Sequence, residues 1–309
     1  MNILVTGASG FVGRALCDHI SHKGLNAYAL LRKEQDDLNV KKKFFVEDML
    51  NHSDWGSILK GIDGVIHAAG LAHVRGRPDK DYYDINTEIT KKLALECAKY
   101  DVKRFVYISS THVHVSSVSP NVLTPQSSFN PKTAYGKSKL FAEQALREIE
   151  ENSKLEIVIV RPPLVYGPNV SGNVLTLLKV IQKNVPLPFA GTQNKRSMIF
   201  VKNLADALVL CATHPKATGH TFFVSDNYPL SIGELIRGLA NGMGKEENLF
   251  YFPEFLMKIP FLLLRKHETL EKITGSLKLD ISHIQKTLNW EPPVSVEEGL
   301  ELTARSFLF

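Results

Sequence analysis

The stretch Thr6-Gly7-Ala8-Ser9-Gly10-Phe11-Val12-Gly13 decides the fold. It follows the apolar run Ile3-Leu4-Val5 and opens a helical pattern, the strand–turn–helix context that a dinucleotide fingerprint needs. Glycines there allow the tight turn and let backbone N–H groups approach a pyrophosphate, whose charge the helix N-terminus stabilises. A glycine triplet alone is weak evidence; the strand before it and the helix after it supply the specificity.

Outward from this loop, short apolar runs alternate with helical patterns, the signature of βαβ units and a parallel sheet. Strands are expected at Ile3 to Thr6, Asn26 to Leu31, Lys43 to Val46, Gly64 to His67, Arg104 to Ser109 and Glu156 to Val160. Helices are expected near Gly10 to Lys23, Asp54 to Leu59, Asn86 to Lys99 and Ala134 to Asn152. Six strands with helical crossovers describe an α/β, Rossmann-like doubly wound parallel sheet. Beyond Arg161-Pro162-Pro163 the alternation fades, and helices near Val174 to Gln182 and Ser231 to Asn241 lie among loops. The expected division is a dinucleotide-binding domain over 1–163, with 199–224 returning to it, and a smaller interwoven substrate-binding region over 164–198 and 225–309.

The 309-residue chain is about twice an average domain in length. With 44% hydrophobic and 22% charged residues, 20 Gly and 15 Pro, its composition is globular and excludes collagen-like, disordered and mini-protein classes. Its net charge of +5 comes from basic residues spread along the chain, which argues against nucleic acid and suits an anionic small ligand. Cys17, Cys97 and Cys211 stand far apart, with no disulfide framework and no metal-ligand spacing. No signal-peptide pattern opens the sequence and no apolar run is long enough to span a membrane, so a cytoplasmic location is expected. Leu249 to Leu264 comes closest, but Pro253, Glu254, Lys258 and Pro260 interrupt it, and it reads as core packing before membrane-surface or partner contact.

Ala29-Leu30-Leu31-Arg32-Lys33 ends the second strand, where an NAD site usually offers an acid to the ribose hydroxyls. A guanidinium instead suits the 2′-phosphate of NADP, so NADP(H) is favoured and NAD(H) is the alternative. Asp48, beside Met49, can accept from an adenine amino group or simply shape a turn.

Tyr135-Gly136-Lys137-Ser138-Lys139 sets a phenol and an ammonium four residues apart on one helix face. A phenol with an ordinary pKa near 10 is a poor base at neutral pH, and a nearby cation favours its phenolate. Such pairs are common on helices. Ser109-Ser110-Thr111 raises this one, because it ends a central strand 25 residues before Tyr135, at the sheet edge where ligands bind. Ser110 can there hydrogen-bond a substrate oxygen as charge develops.

Together with His67-Ala68-Ala69-Gly70, Asn86 and Arg161-Pro162-Pro163-Leu164-Val165-Tyr166-Gly167-Pro168, these motifs resemble the extended short-chain dehydrogenase/reductase family over nearly the full length. Its members include nucleotide-sugar epimerases, dehydratases and reductases. The resemblance implies hydride transfer at a sugar carbon, with Tyr135 as acid/base, Ser110 or Thr111 assisting and Lys139 holding the nicotinamide ribose. With the residue reading, it assigns the cofactor to Gly7, Gly10, Phe11, Val12, Gly13, Arg32, Asp48, Met49, Ala68, Ala69, Gly70, Asn86, Tyr135, Lys139 and Pro162. Substrate contacts fall on Ser110, Thr111, Asn173 and Arg196, with Lys272 substituting for a second phosphate-binding arginine and Leu277 leaving room for the sugar. Relatives also imply a homodimer through Asn86 to Lys99 and Ala134 to Asn152.

Departures narrow the activity. Thr111-His112 replaces the acidic pair of 4,6-dehydratases, His114-Val115 replaces the Tyr-Gly common in epimerases, and Leu164 replaces an expected Asn. A reductase exchanges its cofactor every turnover, which suits NADPH and Arg32. Arg161 through Phe223, including Pro186-Leu187-Pro188-Phe189, looks most like reductases of UDP-4-keto-6-deoxy-N-acetylhexosamines used in surface polysaccharides. UDP-glucose or UDP-N-acetylglucosamine 4-epimerisation with tightly held NAD is the alternative. A non-catalytic nucleotide-binding protein is the remote third, since a pure binder has no need of Ser110, Tyr135 and Lys139 together.

Overall fold

The computed structural model describes residues 1–34, 37–72, 76–115, 118–253, 271 and 273–308. Seven parallel strands form the main sheet: β1 (Asn2–Thr6), β2 (Asn26–Leu31), β3 (Lys42–Phe45), β4 (Gly64–His67), β5 (Arg104–Ile108), β6 (Glu156–Arg161) and, at the far edge, the strand Thr221–Phe223. From β1 the chain builds outward through β2 and β3, then reverses and builds through β4, β5 and β6. The strand order therefore changes direction between β1 and β4, and such a switch point opens a crevice at the strands' carboxyl ends. Every residue of β4 is buried, as are all but the first of β1 and β6 and all but the last of β5. Such near-continuous apolar runs are what strands covered on both faces require.

One face of the sheet is covered by α1 (Phe11–His22), against which a later helix, Val201–Thr213, packs. The other face is covered by α2 (Gly56–Leu59), by a helix spanning Asp79 to Lys99, and by α5 (Ala134–Glu151). The Asp79–Lys99 helix is built in three parts: α3 (Asp79–Tyr83), a π-turn (Asp84–Glu88) and α4 (Ile89–Lys99). It begins seven residues before the expected Asn86, because Pro78 stands in extended backbone and Asp79 and Asp81 occupy the first turn, where acids stabilise the helix dipole. That charged turn lacks the apolar period by which the rest of the helix is recognised.

After β6 comes a separate two-stranded parallel sheet, β7 (Leu164–Tyr166) with β8 (Met198–Phe200). Between them lies α6 (Gly172–Gln182), and after β8 come α7 (Val201–Thr213) and β9, the edge strand Thr221–Phe223 paired with β6. A third apolar cluster, beyond those on the two sheet faces, joins α6, β7, β8, α8 (Ile232–Gly242) and α10 (Val296–Leu308). The short α9 (Ser282–Leu288) ends on Asn289 in the left-handed region and packs on β9. The membrane-or-core question over Leu249 to Leu264 narrows at its start, where Leu249 bridges Leu187; 254–264 lies outside the described residues. Among the described residues, no helix is long and apolar enough to cross a membrane.

Candidate active site

The phosphate loop is shaped by its glycines. Gly7 has φ +65°, and a Cβ there would stand 2.7 Å from the Ala69 nitrogen, so the β1 loop lies directly on the β4 loop. Gly13 backs onto Gly7 and Ala8; a Cβ would meet the Ala8 Cα at 2.7 Å. Thr6 Oγ1 accepts from the Ala69 N–H at 3.1 Å and locks the two loops together. Gly10 N-caps α1 without a side-chain bond, which leaves the helix's first amides facing the loop. This is a cradle that side chains would fill, and it fits a dinucleotide pyrophosphate.

His67 ends β4 between two hydroxyls, Thr6 Oγ1 at 2.7 Å and Thr90 Oγ1 at 3.0 Å. Burial holds its pKa down at about 3, so it stands neutral. Thr90 in turn donates to the Asn86 carbonyl at 2.7 Å. Asn86 is fully buried in the π-turn, a helix irregularity frequent at functional sites. Its side chain accepts from Leu71 N at 2.7 Å and donates to Leu71 O and Ser138 Oγ, both at 3.0 Å. Ser138 Oγ then donates to the Tyr135 carbonyl at 2.9 Å. The β1, β4, α3–α4 and α5 contributions are thus joined by one chain of satisfied buried groups. A Cβ on Gly70 would meet Asn86 Oδ1 at 3.0 Å and Lys139 Nζ at 3.3 Å, so bare backbone there leaves room above both polar groups.

Ser110, Thr111, Tyr135 and Lys139 come together as the sequence implies. Ser110 caps a 3₁₀ turn, Thr111–Val113, and Thr111 N donates to the Pro162 carbonyl at 3.2 Å. Tyr135 lies in the first turn of α5, whose cap is Thr133 Oγ1 accepting from Gly136 N at 3.1 Å. Burial raises the Tyr135 pKa, its hydrogen bond to Ser110 pulls it down, and Tyr82 pushes it up again. Lys139 Nζ donates to the Ile108 carbonyl at 2.8 Å and lies 4.7 Å from the Tyr107 ring centre. Burial lowers the Lys139 pKa to about 8, against a raising influence from Glu143.

The cofactor rim is more exposed. Arg32 follows β2 in the open, and Asp48 serves as a turn acid: Leu50 N at 2.8 Å and Asn51 Nδ2 at 2.6 Å donate to its carboxylate. The Asn51 hydrogen bond is the main cause of its lowered pKa. Arg14, which the sequence reading passed over, donates to Ser9 O at 3.1 Å and to Asp37 at 2.5 Å, joining the loop to the segment after β2. An arginine one residue past the glycine motif, with an acid downstream, was the available signal.

Asn173 is exposed at the start of α6. Arg196 is half-buried, and its Nη1 donates to Gly275 O at 2.9 Å. Arg196 bridges Leu230 and Leu277, while Leu279 bridges Leu123 in the segment following Ser110. The 276–280 strip therefore connects the Arg196 segment to the Ser110 loop. Leu277 is buried in this strip, and Lys272 lies outside the described residues. No group of three or more His, Cys, Asp or Glu capable of holding a metal occurs among the described residues.

A switch-point sheet with a bare glycine cradle and a Ser–Tyr–Lys cluster beside it defines a nicotinamide-dinucleotide enzyme of the extended short-chain dehydrogenase/reductase type. Residues 3–225 match the NAD dependent epimerase/dehydratase family, and the chain belongs to that family. It is 35% identical to a UDP-glucose 4-epimerase of Vibrio cholerae over 99% of this chain and 95% of that protein. It is 27% identical to the N-acetyl-alpha-D-glucosaminyl-diphospho-ditrans,octacis-undecaprenol 4-epimerase of Escherichia coli O157:H7, over 89% of this chain and 81% of that one. The fold is also that of a solved UDP-glucuronic acid 4-epimerase from Bacillus cereus in complex with NAD, with a TM-score of 0.80, 23% identity and coverage of 100% and 99%.

Proposed function

We propose that this protein reduces the 4-keto group of a UDP-4-keto-6-deoxy-N-acetylhexosamine for surface polysaccharide synthesis, with NADPH as reductant. The observation that carries this reading is Arg32: an exposed guanidinium, not an acid, follows β2, where charge-assisted bonds to a 2′-phosphate can form. When bound, the dinucleotide supplies the hydride that adds to carbon 4. Gly7, Gly10, Phe11, Val12 and Gly13 hold its pyrophosphate, and Arg32, Asp48 and Met49 its adenosine end. Ala68, Ala69, Gly70, Asn86, Lys139 and Pro162 line its nicotinamide end.

In this reading Tyr135 donates its proton to the sugar oxygen, and Ser110 donates a hydrogen bond to that oxygen as it becomes an alkoxide. The raised pKa of Tyr135 in the unliganded protein keeps the phenol protonated at neutral pH, ready for donation. Asn173 and Arg196 receive the charged diphosphate end of the substrate, with Thr111 beside the sugar and Lys272 as a further cation. Residues 1–163 with 199–224 form the dinucleotide-binding domain, and 164–198 with 225–309 the substrate region. The protein works in the cytoplasm as a homodimer. Exposed Leu95 on α4 and Phe141 on α5, the latter stacked on Tyr83 with ring centres 5.8 Å apart, give the paired helices an apolar face for that contact.

The second reading is UDP-hexose or UDP-N-acetylhexosamine 4-epimerisation with retained NAD, favoured by the 35% identity to the Vibrio cholerae 4-epimerase along nearly the whole chain. One experiment separates the two. The protein is purified without added nucleotide and denatured, released cofactor is identified by mass spectrometry, and the emptied protein is titrated with NADPH and NADH. Empty sites that prefer NADPH, with the preference lost in Arg32→Ala, support the reductase. Near-stoichiometric NAD with weak NADPH binding makes epimerisation the function.

A further inference from the structure

The sequence departs from the dehydratase pattern at His112, and the site described so far gives this residue no task. The 3₁₀ turn Thr111–Val113 folds its imidazole back over Ser110, with Nδ1 3.1 Å from Ser110 Oγ. The His112 backbone N–H also donates to Oγ at 3.2 Å, so the serine is held from two directions by one residue. On the other side Ser110 lies against Tyr135, where it favours the phenolate. The imidazole and phenol rings face each other edge-on, with centres 5.5 Å apart. The turn lies directly on α5, and a Cβ on Gly136 would collide with the His112 carbonyl oxygen. Glycine next to Tyr135 is what lets the two segments approach. His112 is half-buried, unlike the sealed His67.

We propose that His112 returns a proton to Tyr135 through Ser110 after each turnover. This rests on the reductase reading, because reduction of a ketone consumes one proton per cycle, whereas an epimerase gives its proton back. Once Tyr135 has protonated the sugar oxygen it is a phenolate. The Ser110 Oγ–H bond breaks as its proton moves to the phenolate, and the Nδ1–H bond of a His112 imidazolium breaks as its proton replaces the one Ser110 lost. Ser110 ends unchanged, Tyr135 is again a phenol, and the neutral imidazole takes its next proton from water. The described titratable neighbours are otherwise engaged: Lys139 is bonded to Ile108 O, His67 is enclosed by two threonine hydroxyls, and Tyr82 meets Tyr135 ring to ring. His112 acts through Ser110 and is a positioning and relay residue.

The test compares wild type, His112→Ala and His112→Gln with UDP-4-keto-6-deoxy-N-acetylglucosamine and NADPH. With enzyme in excess, one turnover uses the proton already on Tyr135, so the variants should react within about twofold of wild type. Their steady-state kcat should fall about ten- to hundredfold, less than the loss of a direct acid/base group. Added imidazole should restore turnover in His112→Ala but not in Tyr135→Phe. Equal losses in single-turnover and steady-state rates without imidazole rescue would overturn the relay while leaving the reductase standing. A wild type that interconverts 4-epimers without consuming NADPH would overturn the reductase, and the relay with it. A readout independent of turnover is the ¹⁵N spectrum of the histidines in the unliganded protein, with His112 assigned by its loss in His112→Gln. Ser110→Ala should move its Nδ1 resonance toward that of free imidazole, and an unmoved resonance would show that the Ser110–His112 bond does not exist.

Discussion

Ser110 closely follows β5, a central strand of the sheet, and Tyr135 and Lys139 stand on α5, packed on that sheet, whereas Arg196 stands in a ribbon of isolated bridges to Leu230 and Leu277. On the sheet side, position follows from parallel register: β5 pairs row by row with β4 and β6, which carries the carboxyl ends of all three to one edge. Side-chain bonds from Thr6 through His67, Thr90, Asn86 and Ser138 then close the gaps between elements. On the ribbon side, position follows from short pairs of main-chain bonds between segments far apart in sequence, such as Arg196 N to Leu230 O at 2.8 Å with Leu230 N to Arg196 O at 2.9 Å. The contrast teaches a division of labour. The groups proposed to move protons sit beside the sheet and its buried hydrogen bonds, and groups assigned to ligand selection sit on segments that can vary without disturbing the sheet.

Substitution on the sheet side should have the largest effect. Tyr135→Phe removes one hydroxyl and leaves the ring, so turnover should fall about 10²- to 10⁴-fold, the usual range for an acid/base group. Cofactor affinity and the thermal midpoint should stay near wild type. An undiminished kcat would remove Tyr135 from the chemistry and erase the distinction between the two regions.

The next effect tests whether the rigid side owes its rigidity to buried polar groups. Glu143 on α5 and Arg161 at the end of β6 form a buried ion pair, with Nε to Oε1 at 2.9 Å and Nη2 to Oε2 at 2.5 Å. Arg161 also donates to Pro125 O at 2.9 Å and lies 2.8 Å from His114 Nε2. Glu143→Ala strands the guanidinium without its anion and should cost about 3–5 kcal/mol in urea unfolding, the range for breaking one side of a buried pair. A loss below about 1 kcal/mol would show that α5 is held on β6 by apolar packing alone.

On the ribbon side, Arg196→Ala should act on binding. If the guanidinium meets a diphosphate, KM should rise about ten- to hundredfold with kcat nearly unchanged, equivalent to the 1.5–3 kcal/mol of a hydrogen bond to a charged group. A fall in kcat with KM unchanged would place Arg196 with the proton-moving groups and break the division.

The sheet and the cofactor side of the site were legible because their signals are local. Gly7, Gly10 and Gly13 lie within one turn, and Tyr135 and Lys139 within one helical turn, so spacing along the chain translates directly into proximity. The start of the α3–α4 helix was not legible, because Asp79 to Asp81 is a charged turn without apolar period. Nor was the Ile108 carbonyl that receives the Lys139 ammonium, since it lies 31 residues away. The Arg196 ribbon was least legible: a motif marks the arginine, but nothing local says that residues near 230 and 277 will flank it.

The smallest effect is a pH slope, and it separates the regions without a substrate. Lys139 is buried, and burial lowers its pKa from 10.5 to about 8. Between those values the native state has released the proton and the unfolded chain still holds it, so the unfolded state binds more protons and stability rises with pH. The steepest contribution of one group is about 1.4 kcal/mol per pH unit. Unfolding free energies of wild type and Lys139→Met, measured from pH 7 to 10, should therefore diverge, with the wild type gaining relative to the variant above pH 8. His67 gives the opposite arm: burial sets its pKa at about 3 against an ordinary 6.5, so stability is lost as pH falls from 6.5 toward 3. Arg196→Ala should leave both arms as they are, because a guanidinium does not titrate over this range. Parallel curves for wild type and Lys139→Met would mean that the ammonium reaches water, and that the proton-moving side is no more enclosed than the ribbon opposite.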